Sequence, residues 1–144
     1  ASAMGIICAV VIAGLPARKL DYRMIPRATY TQPQVASFGY TEKQAQEAGY
    51  NVRTGKFPFM ANGKALGYGE PAGYIKLVVN EHNNQLLGAS LVGPEVSELL
   101  PELTLAQANG LTVEAIAQNI HAHPTLSEVL MEAAEAAEGH AVHL

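Results

Sequence analysis

The sequence predicts an α+β domain, an antiparallel sheet packed against helices as an α/β sandwich. Three observations carry this. Extended, β-branched and aromatic segments occupy most of residues 27–92, and the last two of them flank Glu81-His-Asn-Asn84, a turn of hairpin length. After Gly93-Pro94 the apolar spacing changes to a helical period. Strands followed by helices is the order of a layer structure with helices on one face of the sheet.

Residues 4–14 form an apolar patch rich in alanine and β-branched residues that ends at Gly14 and Pro16; helix is slightly favoured over strand there. The polar stretch Arg18, Lys19, Asp21 and Arg23 reads as a connection, which puts a boundary near residue 24. Two short extended pieces, 27–31 and 35–40, are interrupted at Gln32-Pro33. Thr41-Glu-Lys-Gln44 has the form of a capping box, and Gly49 closes the helix it starts. Further strands are expected over 51–59, 73–80 and 85–92, with Gly63, Gly67, Gly69 and Gly73 scattered through a loop between the first two.

Val96, Leu99, Leu100, Leu103 and Ala106 then recur at helical spacing until Asn109-Gly110. Pro101 must sit in the first turn of that helix or kink it. A second helix is expected from Thr112, its cap, to about residue 119. The third is expected over 125–138, burying Leu126, Val129, Leu130, Ala133 and Ala137.

Composition narrows the function classes. With 144 residues and 49% apolar content the chain can build one core. Nine basic against 13 acidic residues give a net charge of -4 without a basic cluster, which argues against a nucleic-acid partner. Cys8 is the lone cysteine, so an internal disulfide, a thiol pair within the chain and a cysteine-rich zinc site are excluded. The run from Gly5 to Leu15 is too short to span a bilayer and lacks the basic region of a signal peptide; no membrane role and a cytoplasmic location are expected. Ala1-Ser2-Ala3 before Met4 reads as a cloning remnant.

The chemistry concentrates in His123-Pro-Thr-Leu-Ser-Glu128, which sets an imidazole five positions before a carboxylate across a turn that opens a helix. Two readings compete. In one, Thr125-Leu-Ser-Glu128 is a capping box and Glu128 serves only the helix start. In the other, Glu128 accepts the Nδ1 proton of His123 and leaves Nε2 to act as a base, for which an ordinary histidine pKa of about 6.5 is suited. One carboxylate oxygen can bond the backbone while the other faces the ring, so the two roles conflict only in part. Pro124 pushes the backbone of His123 away from helical angles, and both isomers of the bond between them stay open.

A metal reading would take His121, His123 and Glu128 as ligands, but no further histidine or cysteine stands at a zinc spacing, and His140 and His143 lie in an expected frayed tail. His121 is assigned as a structural neighbour of the site and no metal is expected. No G-x-G-x-x-G joins a strand to a helix, so no nucleotide site is expected within the chain. Its six tyrosines are read as sheet-face or interface residues.

Taken in order, Ile25-Pro26, Tyr30-Thr31-Gln-Pro33, Val35-Ala36, Gly39, Thr41-Glu42, Gly73 through Lys76, Leu87-Gly88, Gly93-Pro94 and His121-Ala-His-Pro-Thr-Leu-Ser-Glu128 resemble the C-terminal dimerisation domain of the pyridine nucleotide-disulfide oxidoreductases. The resemblance covers about residues 25–137. Within the family, the histidine run followed by Met131-Glu-Ala-Ala134 is most similar to the dihydrolipoamide dehydrogenases. Glutathione reductases typically carry His-Pro-Thr-Ser-Ser-Glu-Glu and stop soon afterwards, and mercuric reductases lack the histidine. Gln34 departs from the family's usual glutamate, which puts local contacts in doubt.

This resemblance implies that residues 1–24 are the remnant plus the end of an FAD-binding region and that 25–144 are the dimerisation domain of a longer flavoenzyme. FAD and NAD would belong to the full enzyme and none would bind this fragment, which would be inert alone. The implied partners are a second copy of the chain in a homodimer and dihydrolipoamide on a lipoyl domain. His123 would act as the proton acceptor in the other subunit's site, Glu128 would orient it, and His121 and Pro124 would be neighbours. Residues 95–109, 125–138 and the strand around Phe38 are the expected interface. The alternatives are a glutathione-reductase-like disulfide reductase and a non-catalytic dimerisation module.

Overall fold

A computed structural model describes residues 1–140 of the chain; His143 lies outside them. The helices are α1 Ser2–Ile12, α2 Glu42–Glu47, α3 Gly63–Tyr68, α4 Val96–Ala108, α5 Val113–Ala117 and α6 Glu128–Glu138. The strands are β1 Arg27–Thr29, β2 Gln34–Gly39, β3 Val52–Pro58, β4 Tyr74–Asn80 and β5 Leu86–Gly93. They form one sheet in the order β1-β2-β5-β4-β3, with every neighbouring pair antiparallel. Chain neighbours pair except β2 and β3, which are far apart because β5 inserts beside β2.

Alternation along the strands sorts side chains onto two faces. Phe38, Phe57, Ile75, Leu77, Ala89 and Leu91 face the main core with Leu99, Leu103, Val113, Ile116, Val129, Leu130 and Ala133 of α4, α5 and α6. Burying each large apolar side chain in such a core contributes roughly 1.5–3 kcal/mol. Val78 and Leu87 turn to the opposite face and pack on Ala45 of α2, and Lys76 Nζ reaches Glu42 Oε2 at 2.5 Å on that helix. The register shifts at Val78 and Val79, where Leu87 is the extra residue of a β-bulge. Helices therefore lie on both faces, α4, α5 and α6 on one and the short α2 on the other, where the sequence predicts one covered face only.

Several joints follow their local signals. Thr41 and Gln44 form both halves of a capping box, and α1 is helical although none of its residues is buried. Three expectations are corrected, and that for Pro101 is narrowed to its second alternative. The glycine-rich stretch is not all loop: Asn62 accepts the amide of Ala65 and starts α3, which ends at Gly69 in the left-handed conformation. Pro101 stands in the second turn of α4, leaving the Ser97 carbonyl without its usual amide donor. Thr112 occupies the cap position of α5 but its side chain makes no capping bond. Finally, α6 starts at Glu128 rather than Thr125, because the three preceding residues are spent on a turn.

The placement of α6 depends on Gly55. A Cβ there would lie 2.0 Å from the Ala133 carbonyl oxygen and 2.7 Å from the Ala137 Cβ, so only glycine lets β3 and α6 approach this closely. Gln34 ties β2 to the first turn of α4, because its Oε1 accepts from Ser97 N at 3.2 Å and from Ser97 Oγ at 2.9 Å. An amide oxygen serves there as a carboxylate would. Phe38 is 1% exposed on an interior strand, so its side chain belongs to the core. No helix among the described residues is long and apolar enough to cross a membrane.

Candidate functional site

The site is the turn between α5 and α6. Thr125 shapes it by donating Oγ1 to the Ala122 carbonyl at 2.7 Å and sharing a 2.9 Å hydrogen bond with Ser127 Oγ. With its hydroxyl committed to these partners, Thr125 supplies only one half of the expected capping box: its amide donates to Glu128 Oε2 at 2.8 Å. The other carboxylate oxygen, Oε1, lies 2.8 Å from His123 Nδ1. Glu128 thus serves the helix start and the imidazole together, one oxygen each.

The two partners differ sharply in environment, with side-chain exposures of 80% for His123 and 19% for Glu128. Desolvation of Glu128, the largest single effect, pushes its pKa up, but the Thr125 amide, the His123 hydrogen bond and the charges of His123 and His121 together outweigh it. The net result is a carboxyl held below its ordinary value and therefore ionised at neutral pH. An ionised carboxylate only accepts, so the hydrogen on His123 Nδ1 is fixed between the two groups. Nε2 bonds to nothing among the described residues and sits on an exposed ring. Such an imidazole can receive a proton at Nε2 from a group brought to it.

Pro124 is exposed, and the bond joining it to His123 is cis. His121 is placed apart from His123. Its side chain is 5% exposed, its Nε2 lies 3.1 and 3.2 Å from the two oxygens of Glu102 on α4, and its Nδ1 is buried without a hydrogen-bond partner. The two histidines therefore serve different carboxylates and do not converge with Glu128 on one point.

Two residues of the site have no signal in the sequence. Glu102 sits on α4 among apolar positions, and besides His121 it accepts from Asn119 Nδ2 at 3.1 Å. Asn62 is buried, and while its Oδ1 caps α3, its Nδ2 donates to the Thr125 carbonyl at 3.0 Å. Both act on a turn many residues away in the chain, and only the packing of α3 and α4 brings them there.

Residues 25–134 match the family described as pyridine nucleotide-disulphide oxidoreductase, dimerisation domain. The chain is 52% identical over 144 residues to a dihydrolipoyl dehydrogenase of Mycobacterium tuberculosis, covering 99% of this chain and 31% of that protein. It is 46% identical over 144 residues to a dihydrolipoyl dehydrogenase of Bacillus subtilis, covering 100% of this chain and 30% of that one. Among solved structures it resembles LpdA from Mycobacterium tuberculosis, with a TM-score of 0.83, 25% identity and coverage of 91% of this chain and 28% of the other. The flavoprotein disulfide reductase RclA from Escherichia coli gives a TM-score of 0.80 at 26% identity, covering 87% and 29%. The chain spans less than a third of the length of these relatives.

Proposed function

The chain belongs to the pyridine nucleotide-disulphide oxidoreductase dimerisation-domain family, and from that premise we propose that it supplies an acid–base pair, His123 and Glu128, to a dihydrolipoyl dehydrogenase-type flavoenzyme. Residues 25–144 would form the interface domain of a two-fold homodimer, and residues 1–24 would close the FAD-binding region that precedes it. The ring of His123 would enter the active site of the other subunit. There Nε2 would take the proton of a dihydrolipoamide thiol carried on a lipoyl domain, becoming an imidazolium beside the thiolate it has created. A thiolate is the species that attacks a disulfide, so this transfer contributes directly to rate. Glu128, already ionised, would balance the charge that develops on the ring.

The observation that carries this reading is the 2.8 Å contact of His123 Nδ1 with Glu128 Oε1 on a ring 80% exposed. A histidine held by a largely buried carboxylate yet open to the outside is arranged to meet something that another molecule brings. FAD and NAD would be bound by the remainder of the longer enzyme. The glycines at 63, 67, 69 and 73 surround the short α3 and an antiparallel strand, and they do not form the strand-to-helix cradle that a dinucleotide needs.

In the full-length enzyme, His123→Gln is expected to lower kcat with dihydrolipoamide by roughly 100- to 10,000-fold while the flavin stays bound. Steady-state kinetics together with the flavin absorbance check this, and a near-normal rate overturns it.

A further inference from the structure

The turn that carries His123 is held unequally on its two sides. Downstream, Thr125 is fixed by Glu128 through its amide and by Asn62 through its carbonyl. Upstream, residues 118–120 and Ala122 are exposed, and Ile120 is 94% exposed, so this stretch gains almost nothing from apolar packing. Among the described residues, its side-chain ties to α4 are the bonds to Glu102, while Gln118 bonds Glu114 on the neighbouring α5 and the Ala122 carbonyl accepts from Thr125 within the turn itself. One carboxylate oxygen of Glu102 accepts from Asn119, and both lie within hydrogen-bond distance of His121 Nε2. Glu102 itself stands on α4, which packs against β2 and β5 through Val96, Leu99, Leu100, Leu103 and Ala106.

We propose that Glu102 is a positioning residue: by gripping the buried ring of His121 and the side chain of Asn119, it fixes where His123 stands relative to the substrate of the partner site. This rests on the reading of His123 as the base. His121 is then the handle by which the turn is held, since its Nε2 is taken by Glu102 and its Nδ1 is buried. Without Glu102 the segment two residues before the base loses its anchor, while the His123–Glu128 bond itself can persist. A base displaced by about 1 Å from its productive place loses up to about 100-fold in rate.

The test compares full-length Glu102→Ala, Glu102→Gln and His123→Gln enzymes by steady-state kinetics, with rates expressed per folded dimer from thermal unfolding and sedimentation. Glu102→Ala is expected to lower kcat by roughly 10- to 100-fold with KM for dihydrolipoamide changed less than about threefold. Glu102→Gln, a planar group of equal length that still bonds both Asn119 and the ring, restores most of that rate. The inference is overturned if Glu102→Ala is within about twofold of wild type while His123→Gln is inactive, a result that leaves the base reading standing. It is equally overturned if the loss vanishes when rates are expressed per folded dimer, since Glu102 would then be structural only. A normal rate for His123→Gln removes the base reading and this inference with it.

Discussion

Glu128 is the residue in which two demands meet, and its depressed pKa ties them to stability. The folded chain holds this carboxyl below its ordinary value, so at intermediate acidity the unfolded chain binds more protons than the folded one. Stability from Glu128 is therefore fully present above the ordinary carboxylate pKa and is lost as pH falls through the lower, folded value. Denaturation of wild type and Glu128→Gln between about pH 7 and pH 3 checks this: the gap between the two proteins should narrow towards acid, and a constant gap contradicts the sign. Glutamine can still accept the Thr125 amide, so the variant should keep α6 while losing the charge beside His123. The histidine and the glutamate were legible in the sequence because they lie five positions apart across one local turn. Glu102 and Asn62 were not, since their partners are chosen by packing and no spacing rule connects them.

At the scale of elements, the position of α6 decides where Glu128 begins. Gly55→Ala forces a methyl into the space of the Ala133 carbonyl, so β3 and α6 must part. The expected cost is roughly 1–3 kcal/mol, together with lost turnover in the full enzyme if, as proposed, the first residue of α6 orients the base. Urea denaturation and kinetics of this one variant report both, and an unchanged midpoint would show that the helix can yield at no cost. Strands, the capping box at Thr41 and the apolar stripe of α4 were readable from periodicity and cap chemistry. The short α3 was hidden by its glycines, which lower helix propensity; what sustains it is the buried Asn62 cap and Ala65 packed in the core. The start of α6 was displaced for a related reason. Thr125 looks like a cap, but its hydroxyl bonds Ala122 and Ser127, so the helix waits for Glu128.

For the whole molecule, the proposal requires that the base of one subunit serve the disulfide of the other. A mixed dimer separates this from any arrangement within one subunit. One subunit carries His123→Gln and the other lacks its reactive cysteines, so sharing across the interface leaves one of two sites complete and about half the wild-type rate. An inactive mixed dimer would place base and disulfide in the same subunit. By itself the sequence determined the composition of the layers, the local turns and the histidine–glutamate pair, because each depends on residues within a few positions of one another. Only the tertiary structure decided that β5 inserts beside β2, that α2 covers the second face, and that Glu102 and Asn62 grip the turn carrying His123. Those features are contacts between distant segments, fixed by which apolar faces bury each other once the chain is folded.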